Sequence, residues 1–145
     1  MKKRILGASI LLFAGIGVYA AQQGTANDGR SAAAAPMPGT PLVQVVIPDQ
    51  FSDAARIGQR IFDGNCASCH GPNAAGRAER APPLVHKIYE PSHHGDEAFQ
   101  RAVAMGVPAH HWPFGDMIPV PGLTPGDVAM VVAYIRELQG ANGID

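Results

Sequence analysis

The strongest pattern along the chain lies near its C-terminal end. Val128, Val131, Val132, Ile135 and Leu138 recur at i, i+3, i+4 and i+7 spacing, the stripe of a helix with one buried face. Thr124 stands just ahead of it, with Pro125 at the first helical position and Asp127 at N3, so a capped start is expected there. A helix is also predicted over about 53–64, with Ser52 as its N-cap and Ala54, Ile57, Ile61 and Phe62 facing inward. Another is predicted over about 96–105, with Phe99, Ala102 and Val103 inward and Gly106 just past its end. Gly/Pro-rich loops separate them, notably 71–84 and 107–123. No segment sustains the two-residue alternation of a half-buried strand. The expected fold class is therefore all-α, with about three main helices.

The first 48 residues depart from this pattern. Met1-Lys2-Lys3-Arg4 precedes 17 residues without a charge, 5–21, which end in small side chains. A basic start followed by an apolar stretch reads as a secretory signal cleaved after Ala20. The alternative is an uncleaved membrane anchor, because the stretch sits at the lower limit for spanning a bilayer. Gly7, Gly15 and Gly17 weaken a stable helix there and favour cleavage. Either outcome exports the remainder, and a periplasmic location is expected. Residues 22–48, with Ala32 to Ala35 and Pro36, Pro38 and Pro41, read as an Ala/Pro-rich linker with little to bury. Within it 42–47 is briefly strand-like, an extended lead-in expected to lie on the domain that occupies 49–145.

Composition narrows the function. The 145 residues leave room for one domain once the ends are set aside. A net charge of −1, with no basic run beyond the first four residues, argues against a nucleic-acid binder. Loss of residues 1–20 leaves 8 basic against 12 acidic side chains, a mildly acidic surface suited to partners with basic docking patches. A domain of about 95 residues with long loops is marginal on apolar burial alone, so some further group is expected to fill its middle.

Both cysteines of the chain fall in Cys66-Ala67-Ser68-Cys69-His70, a C-x-x-C-H motif. This is the attachment pattern for a c-type haem. Two thiols three positions apart can each form a thioether to one vinyl group of a single porphyrin, and the next residue, His70, is then held under the iron. A thioredoxin-like dithiol would need an α/β context that the pattern lacks. A zinc site would need further ligands at ordered spacing. A plain disulfide would leave His70 without a role. One covalently attached haem c is the expected cofactor.

With these residues in place, the chain resembles the monohaem class I cytochrome c family over about 50–140. The resemblance is carried by Gly58 and Phe62, the Cys66-x-x-Cys69-His70 motif, the Gly-rich loop leading to Pro82-Pro83-Leu84, a methionine in a late loop, and Tyr134. It implies a cytochrome c-like fold wrapped around the haem, with the first and last helices crossing near Gly58, Phe62 and Tyr134. It also implies that Pro82 or Pro83 offers a carbonyl to the proximal histidine's N–H, fixing its tautomer.

The candidates for a sixth ligand are Met105, Met117, Met130, His86, His93, His94, His110 and His111. The resemblance points to Met117, in the proline-stiffened Gly115-Asp116-Met117-Ile118-Pro119, although Ile118 stands where many relatives have proline. The cofactor-binding set is thus Cys66, Cys69, His70 and Met117, with His70 and Met117 as iron ligands. A His/Met pair closes the iron and favours electron shuttling over gas or peroxide chemistry. The expected function is an exported electron carrier, not an enzyme, working between a redox donor and an acceptor. Alternatives are a haem subunit tethered in a larger membrane oxidase or dehydrogenase complex, or an open-site haem enzyme or gas sensor. Trp112 and Phe114 are expected against the porphyrin, with the Trp112 N–H near a propionate. Arg77 and Arg80 are read as solvated surface. The pairs His93-His94 and His110-His111 are read mainly as solvated loop residues, with a second metal site as the rival.

Overall fold

The computed structural model describes residues 36–145. The expected signal or anchor, 1–21, and the first part of the linker lie outside the described residues. Four helices follow one another: α1 (Asp53–Asn65), the single turn α2 (Ala67–His70), α3 (Asp96–Met105) and α4 (Pro125–Ala141). Short 3-10 turns occupy Pro72–Ala74 and Lys87–Tyr89. Among the described residues there is no strand, only isolated bridges between Arg77 and Ala81 and between Val107 and Met117. The described residues are therefore all-α, as the pattern predicts.

α4 forms as its pattern predicts. The Thr124 hydroxyl accepts from the Asp127 N–H at 3.2 Å and the Asp127 carboxylate accepts from the Thr124 N–H at 2.9 Å. Val128, Val131, Val132, Ile135 and Leu138 are all buried. The start of α1 is tied to it: Ser52 Oγ accepts from the Ala55 N–H and donates to Glu137 Oε1 at 2.6 Å. Cys66 N–H closes α1 on the Phe62 carbonyl at 2.7 Å.

The inward face of α1 differs from the one its apolar residues predict. The buried residues are Ala55, Gly58 and Phe62, while Ala54 and Ile61 are only half-buried and Ile57 is 41% exposed. The cause is the crossing with α4. A Cβ at Gly58 would collide with the Met130 carbonyl, so the face carrying Gly58 must be the one turned to α4. Ile57 is thereby rotated outward. Close approach at glycine outweighs burial of one β-branched side chain.

Around this crossing Tyr134 packs between Phe51 and Phe62, with ring centroids 5.3 and 5.6 Å away. Its hydroxyl donates to Asn73 Oδ1 at 3.1 Å. Buried Gln139 donates to the Leu84 and Tyr89 carbonyls, and Arg136 donates to the Tyr89 and His94 carbonyls while pairing with Asp96 at 3.0 Å. These bonds fasten the 84–96 segment to α4. The chain upstream of residue 49 is fastened too. Gly39 and Thr40 bond Ala78, Leu42 bonds the Ala75 carbonyl, and the Val46 backbone bonds the Asn142 amide both ways. The extended 42–47 stretch therefore lies along the domain.

Burial is uneven along the chain. From 86 to 127 no residue is fully buried, and α3 has none. Its predicted inward residues Phe99, Ala102 and Val103 are half-buried and face a cavity.

Two glycines of α1 make a matched test of the crossing. Gly58→Ala should destabilise the folded protein by about 1–3 kcal/mol or more, as overpacking does. Gly64 has nothing within 4 Å of an added Cβ, so Gly64→Ala should be neutral or stabilising by up to about 1 kcal/mol. Denaturant midpoints of the two variants decide it, and equal shifts would contradict the close crossing.

Candidate functional site

The C-x-x-C-H turn grows directly out of α1. The Cys66 carbonyl accepts from the N–H groups of Cys69 and His70 at 3.0 and 2.9 Å, which winds 66–70 into one turn. The i, i+3 spacing then sets both sulfurs on one face. Arg77 clamps this turn, its guanidinium donating to the Ser68 carbonyl at 2.9 Å. Arg77 is thus a structural clasp rather than simply solvated surface, whereas Arg80 is exposed.

His70 Nδ1 lies 2.9 Å from the Pro82 carbonyl. A carbonyl only accepts, so Nδ1 carries the hydrogen and Nε2 keeps a free lone pair. Of the two prolines the resemblance left open, Pro82 is the acceptor. Burial pushes the His70 pKa below the ordinary histidine range, against the opposing pull of the Pro82 hydrogen bond. The imidazole is therefore neutral and ready to ligate at pH 7. Burial, with Cys69 adding to it, pushes the Cys66 thiol up to about 11. As a free thiol it is a poor nucleophile at neutral pH.

Cys66, Cys69 and His70 line one side of a cavity of about 730 Å³. That volume lies in the range of about 300–1,000 Å³ that holds small molecules and cofactors. α3 and the 106–121 loop form the opposite wall, and Met117 is part of it. The Met117 backbone is held by a reciprocal pair with Val107, 2.9 Å each way. Asp116 accepts from the Ala109 N–H at 2.8 Å, closing the loop between. Gly106 makes the approach possible: its φ is +75°, and a Cβ there would collide with the Met117 carbonyl.

A family model described as cytochrome c matches residues 55–139. The chain belongs to the cytochrome c family. Its relatives include the cytochrome bc1 complex cytochrome c subunits of Mycobacterium bovis and Mycobacterium tuberculosis, each 43% identical over 47 residues. That stretch is 32% of this chain and 17% of theirs. The subunit from Mycobacterium leprae matches equally, over 16% of its length. The protein carries covalently bound haem c with its iron.

The residues present fit such a group. The two thiols, the unprotonated Nε2 of His70 and the cavity supply its anchors and its space. Trp112 adds an independent sign. Its ring stacks on Phe114 at 5.9 Å, and its indole N–H is buried beside the Tyr89 side chain without a well-formed hydrogen bond. A buried donor without an acceptor is costly. A propionate of the haem would supply the missing acceptor.

The remaining ligand candidates separate in part. Met130 sits on α4 with its carbonyl against Gly58, and neither it nor His86 nor His93 lines the cavity. Met105, His94, His110 and His111 do line it, with Met105 68% exposed. The two histidine pairs, far apart in sequence, meet at the cavity rim. There partial desolvation, and then repulsion from His110, His94 and His93, holds His111 below the ordinary histidine range. The Arg136–Gln139 pair that carries the 84–96 wall was not legible as part of the site. Its signal was two polar residues, i and i+3, beside an apolar stripe.

Gly106→Ala tests the backbone that fixes Met117. Gly106 sits at φ +75° and ψ −177°, a region that costs a residue with a Cβ about 1–3 kcal/mol, a factor of about 5–150 in a local equilibrium. The Val107 and Met117 amides should therefore exchange hydrogen faster by about that factor. Unchanged exchange would show that Gly106 does not hold the loop.

Proposed function

We propose that the protein is an exported, monohaem electron carrier whose haem is attached through Cys66 and Cys69 and ligated by His70 and Met117. The observation that carries this reading is the meeting of those four side chains, from two segments nearly fifty residues apart, around one cavity. When bound, the haem iron supplies a one-electron couple. Cys66 and Cys69 fix the group along one wall. His70 presents Nε2, and its Nδ1–H donation to Pro82 holds the ring's orientation and raises its basicity. Met117 offers a neutral, soft sulfur that favours Fe(II) and raises the potential relative to a second imidazole. The Val107 pair holds the Met117 backbone in place, so reorganisation on electron transfer stays small. Trp112 would offer its N–H to a propionate of the bound group. No acid, base or nucleophile is required.

The partners are redox proteins, a donor and an acceptor of the respiratory chain, and residues 1–21 support a periplasmic setting. A second reading is a haem subunit tethered in a larger complex, favoured by the relatives' description as subunits of a cytochrome bc1 complex. Mass spectrometry of the mature chain separates the two: a chain beginning at Ala21 supports the free carrier, and retention of residues 1–21 supports the tethered subunit.

Met117→Ala tests the ligation. In the haem-loaded variant, the weak far-red sulfur–iron band of the oxidised protein should vanish and the reduced protein should bind carbon monoxide. His110→Ala and His111→Ala should keep the parent spectrum. A low-spin, carbon monoxide-resistant Met117→Ala protein would exclude Met117 as the ligand.

A further inference from the structure

His93 and His94 lie in the turn before α3, while His110 and His111 lie in the loop that follows it. His93, His94 and His111 bring one ring nitrogen each within 4.8 Å of one another. His93 Nε2 and His111 Nε2 are 3.4 Å apart, longer than an ordinary hydrogen bond. Two imidazoles bound to one zinc ion at about 2.0–2.1 Å, at the tetrahedral angle, stand about 3.3–3.4 Å apart. The His93–His111 spacing matches that of two donors on a tetrahedral ion, with a His94 nitrogen within 4.8 Å of both.

The surroundings support a cation. His94 Nδ1 donates to the Ile88 carbonyl at 2.6 Å, which leaves its Nε2 as a free lone pair. That is the arrangement by which a backbone carbonyl orients a ligating histidine. The His110 ring stands 4.2 Å from that of His111, its Nδ1 held by the Pro108 carbonyl at 2.8 Å. Among the described residues none of the four imidazoles forms an ion pair with a carboxylate. Adjacent residues in a regular element rarely reach one metal, but 91–94 is a turn, and there the two rings converge at 4.6 Å.

We propose that His93, His94 and His111 form a binding site for a zinc ion, its fourth position taken by water. The site is independent of the ligation assigned to Met117. It joins the turn before α3 to the loop that follows it, two segments without a fully buried residue, so the ion cross-links the two segments that flank α3 beside the haem cavity.

The test is competition for Zn²⁺ between the haem-loaded protein and a chromophoric chelator at pH 7.5. One zinc ion per chain is expected. His93→Ala and His111→Ala should each weaken binding by at least about tenfold, while His110→Ala retains it. Both removed side chains are exposed, and an unchanged visible spectrum and helical signal would show that the variants are folded. Absence of stoichiometric zinc, or wild-type affinity in folded His93→Ala and His111→Ala proteins, would overturn the site. Loss of binding in His110→Ala alone would overturn the assigned ligand set.

Discussion

Between residues 86 and 127 the chain has no fully buried side chain, yet this stretch folds into an ordered turn, a ten-residue helix and a closed loop. Elements of that kind are held by what they pack against. The buried apolar residues lie elsewhere, on α1, α4 and the 74–85 loop. What faces the 86–127 half is the cavity of about 730 Å³. The haem would then be a structural member as well as a cofactor. It would give α3 and the Met117 loop, which line the cavity, an apolar surface to pack against.

The other half prepares the position of that group. Contact between α1 and α4 at Gly58 turns Phe62 against Tyr134, and Tyr134 reaches Asn73 in the loop after the cysteine motif. α1 then runs without a break into the Cys66–His70 turn. Arg77 and the Pro82 carbonyl lock this turn from behind. The same loop that carries Pro82 supplies Leu84 to Gln139. One helix crossing thus sets the direction of the histidine, while the opposite wall hangs from Arg136 and Gln139 through backbone carbonyls. The haem cavity is the seam between a half packed by the polypeptide itself and a half that faces the cofactor.

Much of this was legible from residue pattern. The α4 stripe and its capping box, the limits of α3, and the cysteine motif rest on local rules of spacing and hydrogen bonding, and local rules transfer from sequence to structure. On α1 the apolar pattern placed Ile57 inward whereas it is exposed, because the buried face is set by the Met130 carbonyl, a partner 72 positions from Gly58. The crossing at Gly58 and Phe62 was legible only through the family resemblance. The choice between Pro82 and Pro83 depended on which carbonyl a loop turns toward His70, a tertiary matter. Arg77 looked like a surface charge because its acceptor is a backbone carbonyl with no side-chain signature. The histidine pairs looked unrelated for a similar reason: their meeting depends on how two loops close around α3.

The central claim is that the haem completes the core. The direct measurement is the thermal melt, by circular dichroism, of the exported chain carrying Cys66→Ala and Cys69→Ala, which cannot attach the group. With the 86–127 half deprived of its packing partner, the variant should show little helical signal and no cooperative transition near that of the haem-loaded protein. A cooperative, native-like helical melt in the haem-free variant would contradict the account, because the polypeptide would then hold both walls of the cavity by itself.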